Sequence, residues 1–275
     1  MNFTVATYAE FQKWINAFVQ PDGLKLIFVV GDPGCGKSTA IKKRLKEDQH
    51  RYIKAARLTA FQLYKEFFKI RGKAVILDDV EDALRSPDTA RLLMALCETE
   101  DEARRVAWYG SQSLLKVTKG KKVITVPSEF ESTSRVCVIS NDWKILTTKF
   151  GALLDRGTVL FFEPNAEEIH GFVGDWFKDK EIYRFIGKNL DDIQKPSIRN
   201  YVNASDQKRL GLDWQAVLRE TWTNEQTTAS ATERLVRRLV AETSFAAEKD
   251  RIATFEAESG LKRRAWYNLR KRLGI

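Results

Sequence analysis

The chain has 275 residues, and its 46 lysines and arginines outnumber its 37 aspartates and glutamates, which gives a net charge of +9. Two histidines and three cysteines, with no CxxC pair, argue against a zinc site and against a disulfide-stabilised secreted fold. No apolar run approaches the roughly 20 residues of a membrane span, and no charged-then-apolar leader opens the sequence. We therefore expect a cytoplasmic protein with no membrane partner.

The first part of the chain, residues 1–164, is predicted to be one α/β domain. Short apolar runs rich in β-branched residues alternate with segments of helical periodicity, a pattern typical of a parallel sheet with helices on both faces. Helices are predicted at Tyr8–Val19, Ser38–Lys46, Thr59–Ile70 and residues 86–98, and strands at Leu24–Val30, Tyr52–Ala56, Ala74–Leu77, Arg135–Ile139 and Thr158–Phe162.

From residue 165 onward the predicted elements are all helical. Residues 165–222 are predicted to form a small helical domain, and the polar segment Thr221–Thr232 is predicted to be a linker. Residues 223–275 then comprise this linker and a basic helical domain. Residues 229–275 carry eleven basic and six acidic side chains, which favours a polyanionic partner.

A glycine-rich loop follows the strand at Leu24–Val30 and precedes a predicted helix. Its pattern, glycine, four residues, then Gly-Lys-Ser, is that of a phosphate-binding loop (P-loop), and it predicts binding of ATP with Mg²⁺. Backbone N–H groups cradle phosphate oxygens, Lys37 neutralises the β- and γ-phosphates, and Ser38 offers a hydroxyl to the metal. The predicted nucleotide-binding residues of the loop are Gly31, Asp32, Pro33, Gly34, Cys35, Gly36, Lys37, Ser38 and Thr39.

Two aspartates end the predicted strand at Ala74–Leu77. Asp78 is predicted to hold Mg²⁺ together with Ser38. Asp79 is predicted to polarise the attacking water, with Glu81 and Asp82 as alternatives for that role.

Two further polar residues flank the last predicted strands of this domain. Asn141 follows the strand Arg135–Ile139, where it either hydrogen-bonds the γ-phosphate or the lytic water or belongs to an ordinary strand-ending turn. Arg156 precedes the strand Thr158–Phe162, and an arginine there is a candidate to stabilise transition-state charge at a neighbouring subunit's ATP.

The order of these motifs, phosphate loop, Ile-Leu-Asp-Asp, Val-Ile-Ser-Asn and Leu-Leu-Asp-Arg-Gly, resembles that of the AAA+ ATPases over residues 8–222. The resemblance implies that Asn141 is sensor 1, Arg156 the arginine finger, and Arg199 sensor 2 on a helical lid formed by residues 165–222. A surface arginine on a helix is the alternative for Arg199. The resemblance also implies that this chain forms a homo-oligomer, a ring such as a hexamer.

Residues 106–134 contain two β-prone arms around a Lys-Gly-Lys-Lys tip, which predicts a β-hairpin. The segment resembles the hairpin before sensor 1 in superfamily 3 helicases and AAA+ replication initiators, where tip lysines face DNA. A solvated hairpin whose lysines prevent edge pairing is the alternative. The candidate DNA contacts are Lys116, Lys119, Lys121 and Lys122.

The C-terminal helices resemble a helix-turn-helix, with Gly260 at the turn. Leu261, Ala265, Leu269 and Leu273 are expected to pack inward and to leave the basic residues outside. A charged oligomerisation helix is the alternative. The candidate DNA contacts are Lys262, Arg263, Arg264, Asn268, Arg270, Lys271 and Arg272.

These observations together predict an oligomeric ATPase that couples ATP hydrolysis to DNA binding and remodelling, of the replication-initiator, helicase or mobile-element type. The alternatives are a protein-remodelling AAA+ ATPase whose basic tail binds a protein, and an ATP switch that binds DNA without unwinding it.

Overall fold

A computed structural model gives the architecture of the chain. It divides into two compact units, Met1–Trp176 and Phe177–Ile275. For residues 81–82, 116–119, 122–124, 224–231, 234, 241 and 271–272 the backbone alone is described. The described residues are 2–45, 50–55, 57–98, 103–109, 116–119, 122–141, 143, 146, 151–193, 195–241, 245 and 247–273.

The first unit contains ten described strands. Six of them form a fully parallel sheet in the order β1-β10-β2-β9-β4-β3. The strands are β1 (Asn2–Val5), β2 (Leu26–Val30), β3 (His50–Lys54), β4 (Ala74–Asp78), β5 (Arg104–Ala107), β6 (Lys116–Lys119), β7 (Lys122–Thr125), β8 (Glu129–Ser132), β9 (Arg135–Ser140) and β10 (Thr158–Phe162).

The helices of the first unit flank this sheet, so the predicted α/β fold with a parallel sheet is confirmed. They begin at a capping side chain in several places: Thr7 accepts from the backbone of α1, and Thr59 and Gln62 form a capping box on α3. The helices are α1 (Tyr8–Val19), α2 (Lys37–Lys42), α3 (Ala60–Lys69), α4 (Glu81–Leu84), α5 (Pro87–Leu96), α6 (Gly151–Leu154) and α7 (Ala166–Gly174).

The central strands are buried along their whole length. All residues of β2, β4 and β9 are buried, as expected for continuous apolar runs covered on both faces. Because successive side chains point to opposite faces, Phe28 of β2 packs in a cluster with Leu63 of α3 and Leu93 of α5. On the other face, Phe11 of α1 stacks on Phe162 of β10 at 4.3 Å between ring centroids.

The sheet register aligns the ends of the three central strands. Val30 at the end of β2 lies opposite Ser140 of β9, and Asp78 at the end of β4 lies opposite Ile139. The segments that follow β2, β9 and β4 therefore meet at one edge of the sheet, which we call the carboxyl edge.

Two small antiparallel pairs lie outside the main sheet. β6 and β7 pair with Lys119 opposite Lys122, which confirms the predicted hairpin, although Gly120 and Lys121 at its tip lie outside the described residues. β5 pairs with β8, and neither this pair nor β1 was predicted from the sequence. These strands have only four residues each, too few to show a clear alternating pattern.

The second unit is helical throughout its described part. Trp214 and Leu218 of α10 are buried near its start, and Val236 and Leu239 are buried near its end. Its elements are α8 (Lys180–Gly187), a 3₁₀ turn (Leu190–Asp192), α9 (Ile198–Arg209), α10 (Trp214–Ala241), α11 (Glu248–Ser259) and α12 (Arg263–Leu273).

The prediction of a linker at Thr221–Thr232 is wrong. The backbone is helical through this segment, which joins two separately predicted helices into the 28 residues of α10. The segment contains neither glycine nor proline, and its threonines and serine cost only a few tenths of a kcal/mol each in a helix. Packing of Trp222 on one side and Val236 on the other holds both ends of the segment in helical geometry.

Among the described residues, no helix combines the length and the apolar character needed to cross a membrane.

Candidate active site

The phosphate loop connects β2 to α2 at the carboxyl edge of the sheet. Gly34 and Gly36 have φ angles of 85° and 82°, in the left-handed region that favours glycine. Gly31 is required for a different reason, since a Cβ there would lie 2.4 Å from the carbonyl oxygen of Phe162. The loop therefore exposes backbone rather than side chains where a phosphate group would approach.

Lys37 lies at the centre of this loop and is 5% exposed. Its ammonium group donates to the carbonyl oxygens of Gly31 and Asp32, both at 2.8 Å. It also donates to Oδ1 of Asn141 at 2.9 Å. The strand order brings Lys37 and Asn141 together, because β9 lies directly beside β2.

Ser38 and Asp78 meet as predicted. The Ser38 hydroxyl donates to Oδ2 of Asp78 at 2.8 Å, and Asp78 is 3% exposed. A hydroxyl and a carboxylate are the hard oxygen ligands that Mg²⁺ prefers. These two side chains thus fit the predicted metal site.

Tyr52 is a site residue that the sequence interpretation missed. Its hydroxyl donates to the same Oδ2 of Asp78, across the pairing of β3 with β4. Burial, and then the hydrogen bond to Asp78, raise the pKa of the phenol above its ordinary value, which keeps it protonated as a donor. No sequence signal identifies this contact, because the neighbour of β4 is unknown until the strands are paired.

Asp79 has a φ of 52°, and it is the one non-glycine residue with positive φ in the described chain. Such a conformation costs about 1 kcal/mol or more and is concentrated at functional sites. The carboxylate forms an ion pair with the ammonium of Lys54 at 2.7 Å, and both side chains are about half exposed. Glu81 and Asp82, the alternatives to Asp79, begin α4, and the structure describes only their backbone.

Tyr8 is a second site residue that the sequence did not predict. Its hydroxyl donates to the carbonyl oxygen of Cys35 in the phosphate loop at 2.7 Å, and its ring stacks on Phe172 of α7 at 4.0 Å. Its backbone N–H donates to Glu168 at 3.1 Å. Tyr8 therefore ties the loop to both α1 and α7.

Arg156 lies at the opposite edge of the sheet from the phosphate loop. It precedes β10, whereas the loop follows the neighbouring parallel strand β2, and a five-residue strand spans about 17 Å. Its guanidinium pairs with Glu98 at 3.1 Å and donates to the carbonyl oxygen of Met94 at 3.4 Å. This placement separates Arg156 from its own phosphate loop, so the predicted role at a neighbour's ATP stays a prediction.

Arg199 is exposed in the first turn of α9, where its backbone N–H donates to the capping hydroxyl of Ser197 at 3.1 Å. It lies in the second unit, and its predicted sensor role stays a prediction.

The predicted DNA contacts of α12 are only partly presented as expected. Lys262, Arg263, Arg264 and Asn268 are exposed, whereas Arg270 pairs with Glu248 at 2.7 Å. The side chains of Lys271 and Arg272, and those of Lys116, Lys119 and Lys122 in the hairpin, lie outside the description.

The inward face of α12 differs from the prediction at two positions. Leu261 is 42% exposed because it precedes the helix rather than lying on its inner face. Trp266 occupies the core instead: it is fully buried, and its indole N–H donates to Glu248 at 2.8 Å. Ala265, Leu269 and Leu273 pack against the same cluster, as predicted.

A scan against protein-family models and a search of curated proteins each found no match to this chain.

Proposed function

We propose that this protein is an AAA+ ATPase that couples ATP hydrolysis to the binding and remodelling of DNA. One observation carries the ATPase part of the proposal. The phosphate loop, the Ser38–Asp78 pair at 2.8 Å and the Lys37–Asn141 pair at 2.9 Å converge at one edge of the sheet. Binding of a nucleoside triphosphate with Mg²⁺ requires this set of hydrogen-bond donors and oxygen ligands.

The chain's own residues divide the proposed chemistry between them. The loop backbone and Lys37 bind the phosphates, and Ser38 and Asp78 hold Mg²⁺, which neutralises phosphate charge when it is bound. Asp79 accepts the proton of the attacking water, and Asn141 orients the γ-phosphate or that water. Tyr52 positions Asp78 by its hydrogen bond.

Arg156 acts in trans in this proposal, so the active assembly is a homo-oligomeric ring. Its location supports the assignment, because the edge of the sheet that carries Arg156 lies away from the chain's own phosphate loop. Residues 165–222 act as a helical lid, with Arg199 as its nucleotide-sensing arginine.

DNA binding is proposed for the hairpin of β6 and β7 and for the pair α11 and α12. Gly260, with a φ of 68°, forms the turn between these two helices, as a helix-turn-helix requires. The exposed side chains of Lys262, Arg263 and Arg264 at the start of α12 suit phosphate contacts, and that of Asn268 suits a base edge.

ATP turnover measured with single-stranded DNA, with duplex DNA and without nucleic acid tests the proposal. We expect DNA to stimulate turnover, and we expect the stimulation to weaken steeply as salt is raised. Turnover indifferent to DNA would favour the protein-remodelling alternative. Stimulation without strand separation would favour the ATP switch, and no ATP turnover at all would overturn the enzyme assignment.

A further inference from the structure

A basic cleft lies where the central strands begin, at the edge of the sheet opposite the phosphate loop, which we call the amino edge. The segments before β2, β4 and β9 and the start of β5 enclose a cleft of about 780 Å³. Four cationic side chains and one carboxylate line it. Its polar lining comprises Asp22, Lys25, Lys73, Arg104, Thr133 and Arg135.

Arg135 is 9% exposed and binds the end of α1 through backbone carbonyl groups. Its guanidinium donates to the carbonyl oxygens of Phe18 at 3.0 Å, Val19 at 3.3 Å and Pro21. These neutral acceptors satisfy its hydrogen bonds but do not neutralise its charge.

Arg104 is 3% exposed, and its guanidinium forms fewer hydrogen bonds than that of Arg135. One terminal nitrogen donates to the carbonyl oxygen of Ser134 at 2.6 Å, while its buried Nε has no hydrogen-bond partner among the described residues. Within the described part of the chain, neither Arg104 nor Arg135 forms an ion pair.

The two guanidinium groups also repel each other. Burial lowers the pKa of Arg135 below its ordinary value, repulsion by Arg104 lowers it further, and Asp22 opposes the shift. Burial likewise lowers the pKa of Arg104. Buried charges in proteins are ordinarily paired with a counter-charge. A cleft with two such groups, an unused donor and two lysines at its lining therefore suits a multiply charged anion.

We propose that this cleft binds a phosphate-bearing anion at a site separate from the phosphate loop. The lining carries four positive charges against the single carboxylate of Asp22. Its volume lies within the range of about 300–1,000 Å³ that is usual for small-molecule sites. Among the lining residues, Arg104 supplies a planar guanidinium and Lys73 a flexible ammonium.

The test uses the full-length chain with Lys37→Ala, so that the phosphate loop no longer contributes its lysine. Pyrophosphate is titrated by calorimetry into this protein and into derivatives that also carry Arg104→Met, Lys73→Ala or Lys13→Ala. Lys13 is the matched control, because it is exposed on α1 and does not line the cleft. We expect saturable binding to the parent and the control, and a Kd raised roughly tenfold or more by each cleft substitution.

A purely structural role for Arg104 gives a different result. In that case Arg104→Met lowers the melting temperature without pyrophosphate. If Arg104 lacks a counter-charge in the ligand-free protein and binds the anion, its replacement by an apolar side chain leaves the melting temperature unchanged or raises it. Should Arg104→Met fail to fold, Lys73→Ala decides alone. Absence of saturable binding to the parent, or an equal Kd in the cleft variants and the control, would overturn the proposal.

A competition experiment identifies the source of the phosphate. Single-stranded DNA is titrated into the Lys37→Ala protein and its Lys13→Ala derivative, each with pyrophosphate bound. Displacement of pyrophosphate to the same extent from both proteins assigns the site to a nucleic-acid strand. Pyrophosphate that stays bound in excess DNA assigns the site to a free phosphate compound. Both outcomes support the anion site.

Discussion

Lys54 holds the carboxylate that is proposed to accept a proton from the attacking water. The ion pair with Asp79 spans 2.7 Å, and both partners are about half exposed. A pair of this kind contributes about 0.2–1 kcal/mol. Lys54 is thus positioned to restrain Asp79 without abolishing its access to water.

Substitution of Lys54 by alanine should release this restraint. We expect Lys54→Ala to raise basal ATP turnover by up to about fivefold, the factor that corresponds to about 1 kcal/mol, with little change in ATP affinity. The matched control is Arg51→Ala. It removes a cation of the same strand, and that cation pairs with Glu66 rather than with Asp79. Steady-state kinetics decides, and slower turnover in Lys54→Ala than in the control would contradict the restraint.

The buried thiol of Cys97 predicts a pH dependence of stability. Burial raises the pKa of Cys97 to about 12, despite opposing charges on Arg104, Arg156 and Lys25. Between the ordinary thiol pKa near 9 and this value, the unfolded state binds fewer protons than the folded state. Stability therefore falls as pH rises through this interval, by up to about 1.4 kcal/mol per pH unit.

Cys97→Ala isolates this contribution. Urea unfolding under reducing conditions, between about pH 9 and pH 11, should show a shallower loss of unfolding free energy for Cys97→Ala than for the wild type. Other titrating groups are common to both proteins and cancel in the comparison. Parallel pH profiles would show that the thiol ionises normally in the folded protein.

At the scale of elements, the continuity of α10 through residues 221–232 leads to a testable prediction. Its middle consists of polar residues whose composition is typical of a linker, and buried Trp222 and Val236 lie on either side of this polar stretch. A continuous helix couples the packing around Trp222 to the packing around Val236, whereas a flexible linker would leave the two independent.

Proline at position 228 tests the continuity of this helix. In a helix interior Thr228→Pro should destabilise the second unit by about 3 kcal/mol, because proline removes a backbone donor and clashes with the preceding turn. Thr228→Ala is the control, and it should preserve or slightly increase stability. Circular dichroism and thermal unfolding give the readout, and identical melting of the two variants would indicate a linker.

The start of α12 offers the clearest test of nucleic-acid binding. Arg263 and Arg264 are exposed, so Arg263→Ala with Arg264→Ala should weaken DNA binding without disturbing the core around Trp266. The slope of log affinity against log salt should decrease in magnitude by about 0.9 for each phosphate that the double variant no longer neutralises. The control replaces two exposed cations near the end of α8, Arg184 and Lys188, by alanine. Equal salt slopes in the two double variants would argue for an oligomerisation helix instead.

At the scale of the whole molecule, the sheet separates the residues proposed to act in cis from the one proposed to act in trans. Lys37, Asp78 and Asn141 lie at the carboxyl edge, and Arg156 lies at the amino edge. An active site completed by Arg156 therefore requires a second copy of the chain.

Arg156→Ala should retain ATP affinity and reduce turnover by about 10³–10⁵, the usual effect of removing an arginine finger. Mixing this variant with a Lys37→Ala chain should restore part of the activity, because some interfaces then pair an intact phosphate loop with an intact arginine. Co-assembly is verified separately, for instance by light scattering. Mixtures that assemble and remain inactive would return Arg156 to a structural role with Glu98.

Local sequence was sufficient to predict the elements that depend on short-range signals. The glycines and Lys37 of the phosphate loop, the apolar strand ending in Asp78, and the Lys-Gly-Lys-Lys hairpin all lie within contiguous segments, and the hairpin and the Ser38–Asp78 contact agree with the structure. The alternation of apolar runs with segments of helical periodicity also predicted the parallel sheet, because fully buried strands consist of continuous apolar runs.

Tertiary structure alone decided the contacts between segments that are distant in sequence. The Tyr52–Asp78 hydrogen bond, the Lys54–Asp79 ion pair and the burial of Arg104 each follow from which strands become neighbours. The same reason explains why the 221–232 segment is helical: its local composition permits a linker, and the packing of its flanks favours a helix. Short-range signals specify how a segment folds, whereas the pairing of strands and the packing of side chains specify what it touches.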